Sequence, residues 1–526
     1  MLGAATFLPS LPLRDLWNPD EPRYAEVARE MRETGEWLVP HLNGEIYAEK
    51  PPLFFWLSAL GQMAGLGFNA GRVVAGLASL GTLLLTWTLV RRFLGDRAAL
   101  LGAAVLGTTV FFPWLSRFGV LDVVLTFFVT LAVYGWVRGG ARIALFYVGM
   151  GLAVLVKGPI GIALAVFAAL SWRILGGRGG RPWHILWGVP LTAAIVAAWL
   201  WPACVRGGAA YTDAILWKQN LGRAVESWSH ARPFWYYVPY LAGLFFPWAL
   251  FLPWAAPWAF RQKGLPRAML LWAALGSVFF SAISGKRDRY LTPLFPPLAI
   301  VVGAWLDAAV ATPLARRAAR FANAFFLGAG AGLLAAALFG RLLARRFDDE
   351  AATALRELAT VPGVAATSIF AVLLFLLGRR GIRAARSGFL PRAAGFLAAE
   401  VTVFLLAYDL LLTPKINGFK SPRLVAEALN RWPGEIAAYP AHFSGAYNLY
   451  SRRIRIPVLE TPEEVLAHLA AEGKRLVLTS QESYERPHAG QDRSLKDALG
   501  DRYRATPVGR VGHREMLFLT NYEPPP

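Results

Sequence analysis

Long apolar stretches recur through the first four fifths of the chain and are separated by short segments rich in arginine. Each stretch approaches the roughly 20 residues that a helix needs to cross a bilayer, so the pattern predicts a bundle of membrane-spanning helices. Some stretches are short, and we expect those helices to be tilted, kinked or partly re-entrant. The predicted helices cover residues 72–90, 98–114, 120–137, 141–156, 158–175, 185–204, 236–258, 268–284, 291–309, 321–339, 364–378 and 392–412.

The chain opens with a further apolar segment, MLGAATFLPSLPL, which is too short to cross a bilayer and lacks the basic start of a signal peptide. We expect it to be the outer half of a first helix whose start is missing from this sequence. With that helix, the pattern predicts an all-α polytopic membrane protein with about 12 or 13 transmembrane helices.

The distribution of charge predicts which loops face the cytoplasm. Alternate loops concentrate arginine, as at Arg91, Arg138 and Arg379, and the positive-inside rule places them in the cytoplasm. The other loops mix acids, aromatic residues and histidine with their cations, which is typical of a functional site. We therefore place those loops, and the C-terminal segment, on the outer face.

Beyond residue 414 the chain becomes polar. The segments KRLVLTS (474–480) and REMLFLT (514–520) predict strands, and TPEEVLAHLAAEG between them predicts a capped helix. The sequence thus predicts two domains: a transmembrane domain at residues 1–414 and a small α/β domain at residues 415–526.

Composition supports a membrane protein, since 56% of the residues are apolar and only 17% are charged. A net charge of +20 would indicate nucleic-acid binding in a soluble protein. Here the arginines that set topology explain most of that charge, and we expect no nucleic-acid partner. The single cysteine, Cys204, excludes an intrachain disulfide and a multi-cysteine zinc site.

The most polar long stretch of the apolar part of the chain is residues 17–52. Its first half predicts an amphipathic helix that lies at the membrane interface. The pair Asn43-Gly44 predicts a tight hairpin, which would fold Glu49 and Lys50 back towards that helix. The stretch therefore predicts a folded external loop that holds acids and a lysine close to the bilayer surface.

Four charged residues, two in this stretch and two further along the chain, have both a structural and a functional interpretation. Asp20 or Glu21 would cap the interfacial helix or act in a site. Asp122 begins an apolar helix, again as a cap or as a functional acid, because burying an unpaired carboxylate is costly. Lys157 precedes a Gly-Pro helix break and would either reach to water or bind a phosphate at the membrane edge.

Two further polar groups lie on the predicted outer face. His230 and Arg232 precede an aromatic-rich helix start, and an aromatic belt explains the neighbouring aromatic residues but not these two. Lys286, Arg287 and Arg289 form a cationic cluster that runs against the orientation rule, and a lipid phosphate would compensate its charge.

Six motifs in this order resemble the bacterial 4-amino-4-deoxy-L-arabinose (aminoarabinose) lipid A transferase family: DEPRYAEVAREM, EKPP, LD at a helix start, KGP, HARPFWYY and KRDRYLTPLFP. That family belongs to the polyprenyl-phosphate-sugar-dependent glycosyltransferases of the C-type fold and is related to the protein O-mannosyltransferases. The resemblance implies a catalytic first external loop at about residues 14–70 and a C-terminal domain in the periplasm. It also implies a bacterial inner-membrane enzyme that transfers a sugar, with inversion, from an undecaprenyl or other polyprenyl phosphate carrier to lipid A or another envelope glycan.

The resemblance also implies roles for individual residues. Its catalytic residues would be Asp20, Glu49 and Asp122. Its donor-sugar or carrier-phosphate ligands would be Tyr24, Lys50, Lys157, Arg232, Lys286 and Tyr290. Its divalent metal, such as zinc, would be held by Glu49 and His230, a set that phosphate or water must complete.

Two other functions stay open at this point. A transporter or flippase of polyprenyl lipids would also need many spans and phosphate-binding cations, although transporters favour ionisable residues near the bilayer midplane. A protein O-mannosyltransferase-like enzyme would use the same kind of donor on a protein acceptor. The sequence alone identifies neither the sugar nor the acceptor.

Overall fold

The computed structural model describes residues 7, 11–175, 177, 183–222, 232–308, 311–347, 349–440, 445–487, 491 and 493–522. Most of the opening apolar segment, which was predicted to be the outer half of a first helix, lies outside these residues, and its described end, Leu11–Leu13, is a short 3-10 helix. Within them the protein is predominantly helical, and it carries one small sheet near the C-terminus.

The first polar block folds into a helix, a hairpin and a second helix. Helix α1 (Asp20–Thr34) is followed by the antiparallel strands β1 (His41–Leu42) and β2 (Glu45–Ile46), and then by α2 (Leu53–Gly61). The hairpin predicted at Asn43-Gly44 is confirmed, and both turn residues have positive φ, as this kind of turn requires.

The apolar part of the chain then forms a series of helices. They are α3 (Ala70–Leu94), α4 (Asp96–Gly107), α5 (Phe111–Ser116), α6 (Leu121–Arg138), α7 (Ile143–Lys157), α8 (Ile160–Ile174), α9 (His184–Asp213), α10 (Tyr237–Leu244), α11 (Leu252–Arg261), α12 (Leu265–Ala282), α13 (Phe295–Asp307), α14 (Pro313–Leu343), α15 (Asp349–Leu358), α16 (Val361–Arg386) and α17 (Leu390–Ala407). A 3-10 helix, Asp288–Leu294, leads directly into α13.

In the described part of the chain, nine helical stretches are long and apolar enough to cross a membrane. They account for nine of the predicted helices and confirm a polytopic membrane fold. The other three differ from prediction: residues 98–114 break into α4 and α5, and α8 has only 15 residues. Residues 236–258 form a pair of helical segments bent by 106° at Phe245–Pro247, because the proline-rich sequence cannot continue one helix.

Glycines explain two features of the bundle, a helix break and a close contact between two helices. Gly158 ends α7 with a φ of 87°, and Pro159 then starts α8, so the predicted Gly-Pro break leaves Lys157 at the last turn of α7. At Gly303 of α13, an added Cβ would lie 2.4 Å from the backbone nitrogen of Gly102 in α4. These two helices therefore meet backbone to backbone, as small residues allow in membranes.

The C-terminal segment contains the helices α18 (Thr413–Lys420), α19 (Arg423–Asn430), α20 (Ala446–Ser451), α21 (Pro462–Ala470), α22 (Gln481–Glu485) and α23 (Leu495–Leu499). Its sheet has the order β3 (Glu435–Ala438), β4 (Arg475–Ser480), β6 (Arg514–Thr520), β5 (Arg504–Val511). Strand β3 is parallel to β4 and the other pairs are antiparallel. Both strands predicted from sequence, β4 and β6, are present. The division of the chain at residue 414 stays a prediction.

Candidate active site

Four segments that are far apart in sequence bring their charged residues together. They are the start of α1, the facing ends of α6 and α7, and the 3-10 helix Asp288–Leu294. Each segment is a helix terminus, where the chain turns at the edge of an apolar bundle, so polar side chains reach one another without crossing the bilayer core.

Asp20 is the first residue of α1 and is 7% exposed. The helix starts there because Pro19 precedes it and Pro22 occupies its first turn. The predicted capping role is wrong for Asp20 and for Glu21, since Pro19 is the N-cap and no side chain caps the helix. The Arg289 guanidinium donates to Asp20 Oδ2 over 2.6 Å, and that of Arg287 lies 4.0 Å away.

These cations decide the charge of Asp20. Burial is the largest single influence and raises the pKa, but Arg289, Arg23 and Arg287 together outweigh it and lower the pKa of the Asp20 carboxyl below its ordinary value. Asp20 is therefore an ionised, oriented carboxylate at neutral pH, and a weak base.

Glu21, the next residue, has a different environment. Its carboxylate accepts from Arg14 and from Arg72, at 2.8 Å for Arg72 Nε, and from the backbone N–H groups of Trp17 (3.1 Å) and Gly119 (2.9 Å). Burial raises its pKa, but the two arginines outweigh that effect and hold the pKa at about 2. Glu21 thus ties the start of α1 to α3 and to the turn before α6, and so fixes the position of its neighbour.

Asp122 lies in the first turn of α6, is 3% exposed and forms an ion pair with Lys157. It is not a helix cap, because Val120 occupies the N-cap without a side-chain hydrogen bond. The Lys157 ammonium also lies 4.4 Å from the ring centroid of Tyr290, a cation–π contact. Lys157 therefore does not extend free to water. It is held between an acid and an aromatic ring.

Arg289 connects Asp20 with the Asp122–Lys157 pair. From the sequence it was named only as a member of the cationic cluster of Lys286, Arg287 and Arg289, without a role of its own. Besides donating to Asp20, its guanidinium is within electrostatic range of Asp122 and Tyr24. The sequence signal was the cationic cluster that precedes Tyr290. Which member of that cluster turns inward depends on the 3-10 helix that begins at Asp288.

Glu49 and Lys50 follow the hairpin. Both are partly buried, and Lys50 Nζ donates to the Glu49 carbonyl over 2.9 Å. Arg23 of α1 lies within electrostatic range of Glu49 and Asp20, and it joins the loop acids although sequence analysis did not select it. Tyr24 is buried against Phe54 of α2, and burial raises the pKa of its phenol.

Lys286 and Arg232, the other predicted phosphate ligands, are not placed with the Asp20–Arg289 and Asp122–Lys157 pairs. Lys286 is buried, and its ammonium donates to the carbonyls of Arg232 (3.0 Å) and Ile283 (2.6 Å). The Arg232 side chain is exposed. Lys286 therefore connects backbone segments beside the site, and its role and that of Arg232 in phosphate binding stay predictions.

The predicted metal pair is tested only in part. His230 lies outside the described residues. Among the described residues there is no group of three or more His, Cys, Asp or Glu side chains that would hold a metal ion. Glu49 supplies one suitable oxygen ligand, and Arg23 is a cation within electrostatic range of it. The metal prediction stays a prediction.

The arrangement offers two acids, Asp20 and Asp122, that alternate with the cations Arg289 and Lys157. Such a set binds a group that carries both an anionic part and hydrogen-bond donors, such as a sugar phosphate. It also provides positive charge that would stabilise a departing phosphate.

Comparisons with known proteins agree with this description. A family model described as dolichyl-phosphate-mannose-protein mannosyltransferase matches residues 4–205. The undecaprenyl phosphate-alpha-4-amino-4-deoxy-L-arabinose arabinosyl transferase of Pectobacterium carotovorum is 32% identical over 58% of this chain and 58% of its own length. That of Edwardsiella ictaluri is 33% identical over 57% of each chain. The chain thus matches less than three fifths of the length of these relatives.

Solved structures match over nearly the whole chain. The crystal structure of ArnT from Cupriavidus metallidurans bound to undecaprenyl phosphate has a TM-score of 0.76 at 21% identity, and covers 99% of this chain and 97% of its own. Its apo state has a TM-score of 0.72. The protein therefore has the fold of ArnT, and the resemblance to aminoarabinose transferases inferred from the six motifs is confirmed.

Proposed function

We propose that the protein is an integral membrane glycosyltransferase that moves a sugar from a polyprenyl phosphate carrier, such as undecaprenyl phosphate, to an acceptor at the outer face of the bacterial inner membrane. The carboxylate of Asp20, held by Arg289 beside the Asp122–Lys157–Tyr290 group, is the observation that carries the proposal. In this proposal the acid serves the acceptor and the neighbouring cations serve the phosphate.

In the proposed reaction, an acceptor oxygen attacks the anomeric carbon from the face opposite the carrier. The bond from that carbon to the phosphate oxygen breaks, and its electrons leave with the polyprenyl phosphate. A single displacement of this kind inverts the anomeric configuration. The leaving phosphate needs no proton when Lys157 and Arg289 compensate its charge.

The lowered pKa of Asp20 bears on the acceptor. A carboxylate with a low pKa is a poor general base, because proton transfer is efficient when the pKa lies near the operating pH. A sugar or protein hydroxyl would need such a base, whereas an ionised phosphate oxygen would not. We infer that the acceptor is a phosphate, as on lipid A. Because two anions repel each other, Asp20 would orient it indirectly, by holding the Arg289 guanidinium in place.

The cations of the site are held by acids in this structure, so donor binding would exchange their partners. Lys157 is paired with Asp122, and Arg289 with Asp20. In the proposed complex the carrier phosphate takes over one N–H of each cation, and the acids accept hydrogen bonds from the sugar hydroxyls. Tyr24 and Lys50 would line the sugar side.

We propose separately that the protein binds a metal ion. Glu49 and His230 would hold one zinc ion, which would supply positive charge near the acceptor. Metal analysis of the purified protein tests it: a stoichiometric zinc that is lost in both Glu49→Gln and His230→Ala supports the site. Zinc content that is unchanged in the two variants contradicts it.

The test of the activity uses purified protein in proteoliposomes with a radiolabelled sugar on undecaprenyl phosphate. Three acceptors are compared: lipid A, lipid A without its phosphates, and a serine- and threonine-containing peptide. We expect label on intact lipid A only. Label on the peptide would favour the O-mannosyltransferase-like alternative. Movement of the donor between leaflets without any product would favour the flippase.

A further inference from the structure

The hairpin of the first loop is fastened to α1 through its backbone. Asn43 and Gly44 are its turn residues, with φ values of 60° and 74°. Their N–H groups donate to the two oxygens of Glu30, over 2.6 Å from Asn43 and 3.0 Å from Gly44. Glu30 is fully buried, so these bonds are shielded from water.

The side chain of Asn43 is fastened elsewhere, to the C-terminal segment. Its Oδ1 accepts from the backbone N–H of Ile456 and from Asn448 Nδ2, both over 2.7 Å, and its Nδ2 donates to the Ile456 carbonyl over 3.0 Å. Asn43 is 6% exposed. Its amide therefore pairs with Ile456 as a strand residue would, and both its acceptor sites are used.

Other contacts show that the two segments fit closely at this point. Arg29 of α1 donates to the carbonyl of Arg453 over 3.1 Å. A Cβ added at Gly445, which has a φ of 88°, would lie 2.7 Å from a methyl group of Leu42. The hairpin is thus held between the buried acid of α1 and the C-terminal segment, and a side chain could not be added at Gly445 without moving it.

The segment that follows this hairpin, residues 47–50, leads to the proposed site. Tyr47 is buried against Phe55, at 6.0 Å between ring centroids, and Glu49 and Lys50 follow within three residues. Displacing the hairpin would therefore displace the loop that carries Glu49 and Lys50.

We propose that Asn43 is a positioning residue, through which the C-terminal segment fixes the geometry of the catalytic loop. The inference rests on the proposed transferase function. It assigns the C-terminal segment a role in the reaction, namely holding Glu49 and Lys50 in place while the donor reacts.

Two variants and a matched control test this role in the full-length protein. Asn43→Gly deletes the side chain and keeps a residue that accepts positive φ. Asn448→Ala removes one donor to Asn43 from the other side and leaves the loop sequence intact. Glu45→Gln is the control, because Glu45 connects the same hairpin to the C-terminal segment through an exposed ion pair with Arg455 (3.0 Å), and exposed pairs contribute little.

Two readouts are measured: hydrogen exchange over residues 41–50, and the steady-state constants of sugar transfer. We expect Asn43→Gly to speed exchange in the loop and to lower kcat by about 10- to 100-fold, because small displacements of reacting groups are costly. The KM for the donor should change less. Asn448→Ala should show a smaller effect of the same kind. In the double variant the loss of kcat should be smaller than the two single effects combined, because both substitutions break one hydrogen-bond network.

Wild-type kcat in Asn43→Gly would overturn the proposal, whether or not exchange increases. Equal effects in Glu45→Gln would also overturn it, because any loosening of the hairpin would then suffice. If Asn43→Gly does not accumulate in membranes, Asn448→Ala takes its place in the test. Wild-type kcat in Asn448→Ala, or an equal effect in Glu45→Gln, would then overturn the proposal. If the wild type transfers no sugar, the proposed function fails, and the exchange contrast between Asn43→Gly and Glu45→Gln alone decides whether Asn43 holds the loop.

Discussion

The guanidinium of Arg289 lies 2.6 Å from a carboxylate oxygen of Asp20, so the start of α1 meets the 3-10 helix Asp288–Leu294 at an ion pair. This contact holds Asp20 in its ionised form and keeps a cation beside it. It is the relationship from which the proposed chemistry follows.

Removing this cation should shift the pH dependence of activity in a known direction. Arg289 is the main cause that lowers the pKa of Asp20, while burial raises it. In Arg289→Gln the folded-state pKa of Asp20 should therefore rise, and the acidic limb of the kcat/KM profile should move to higher pH. Arg287→Gln, which removes a guanidinium 4.0 Å away, should shift the limb less. Identical acidic limbs in wild type and Arg289→Gln would contradict this account of Asp20.

The Asp122–Lys157 pair should be costly to break from one side. Both side chains are largely buried, at 5% and 13% exposure, so Asp122→Asn or Lys157→Met leaves a buried charge without its partner. We expect each single variant to lose about 3–5 kcal/mol of stability and the double variant to recover part of it while remaining inactive. Thermal unfolding in detergent measures this. The exposed pair Arg91–Asp96 serves as control, and breaking it should have little effect.

Glu21 should contribute stability that depends on pH. Its pKa is lowered from 4.5 to about 2 in the folded protein, because Arg14 and Arg72 outweigh burial. The stabilisation is present above the unfolded-state pKa and is lost as pH falls towards the folded-state value. Glu21→Gln should therefore cost about 3 kcal/mol at neutral pH, and the difference from wild type should shrink below about pH 4.5. A difference that stays constant down to about pH 3 would contradict the assignment.

Substitutions of Tyr290 separate what its aromatic ring contributes to donor binding from what its hydroxyl group contributes. Its ring lies 4.4 Å from the Lys157 ammonium, a contact that contributes on the order of 1 kcal/mol. Tyr290→Phe keeps the ring and should keep the donor KM near that of the wild type. Tyr290→Leu should raise it about fivefold. If the Phe variant were as impaired as the Leu variant, the hydroxyl group, and not the ring, would act on the donor.

Much of the bundle could be predicted because apolar length is a local property. The stretch from 120 to 137 became α6, and the Gly158-Pro159 break left Lys157 at a helix end. The stretch from 236 to 258 could not be predicted in the same way, since hydropathy does not show that its prolines bend the chain by 106°.

The site was predictable to the extent that acids and cations in an apolar chain are unusual. Asp20, Asp122 and Lys157 stood out for that reason, whereas Tyr290 was predicted only through the family resemblance. The four residues lie together. Their pairing was not predictable, because it depends on tertiary contacts. Nothing local distinguishes Arg289, which meets Asp20, from Lys286, which donates to backbone carbonyls. Likewise, the adjacent acids Asp20 and Glu21 look alike in sequence, but only Glu21 is enclosed by two arginines and two backbone N–H groups.

The measurement that tests the central claim most directly is single-turnover transfer of a radiolabelled sugar from undecaprenyl phosphate by purified Asp20→Asn protein. Glu33→Gln, which neutralises an acid at the far end of the same helix, is the matched control. We predict that Asp20→Asn is folded and binds donor but forms product at least about 100-fold more slowly, while Glu33→Gln matches the wild type. Wild-type rates in Asp20→Asn would remove Asp20 from the reaction and contradict the proposed mechanism.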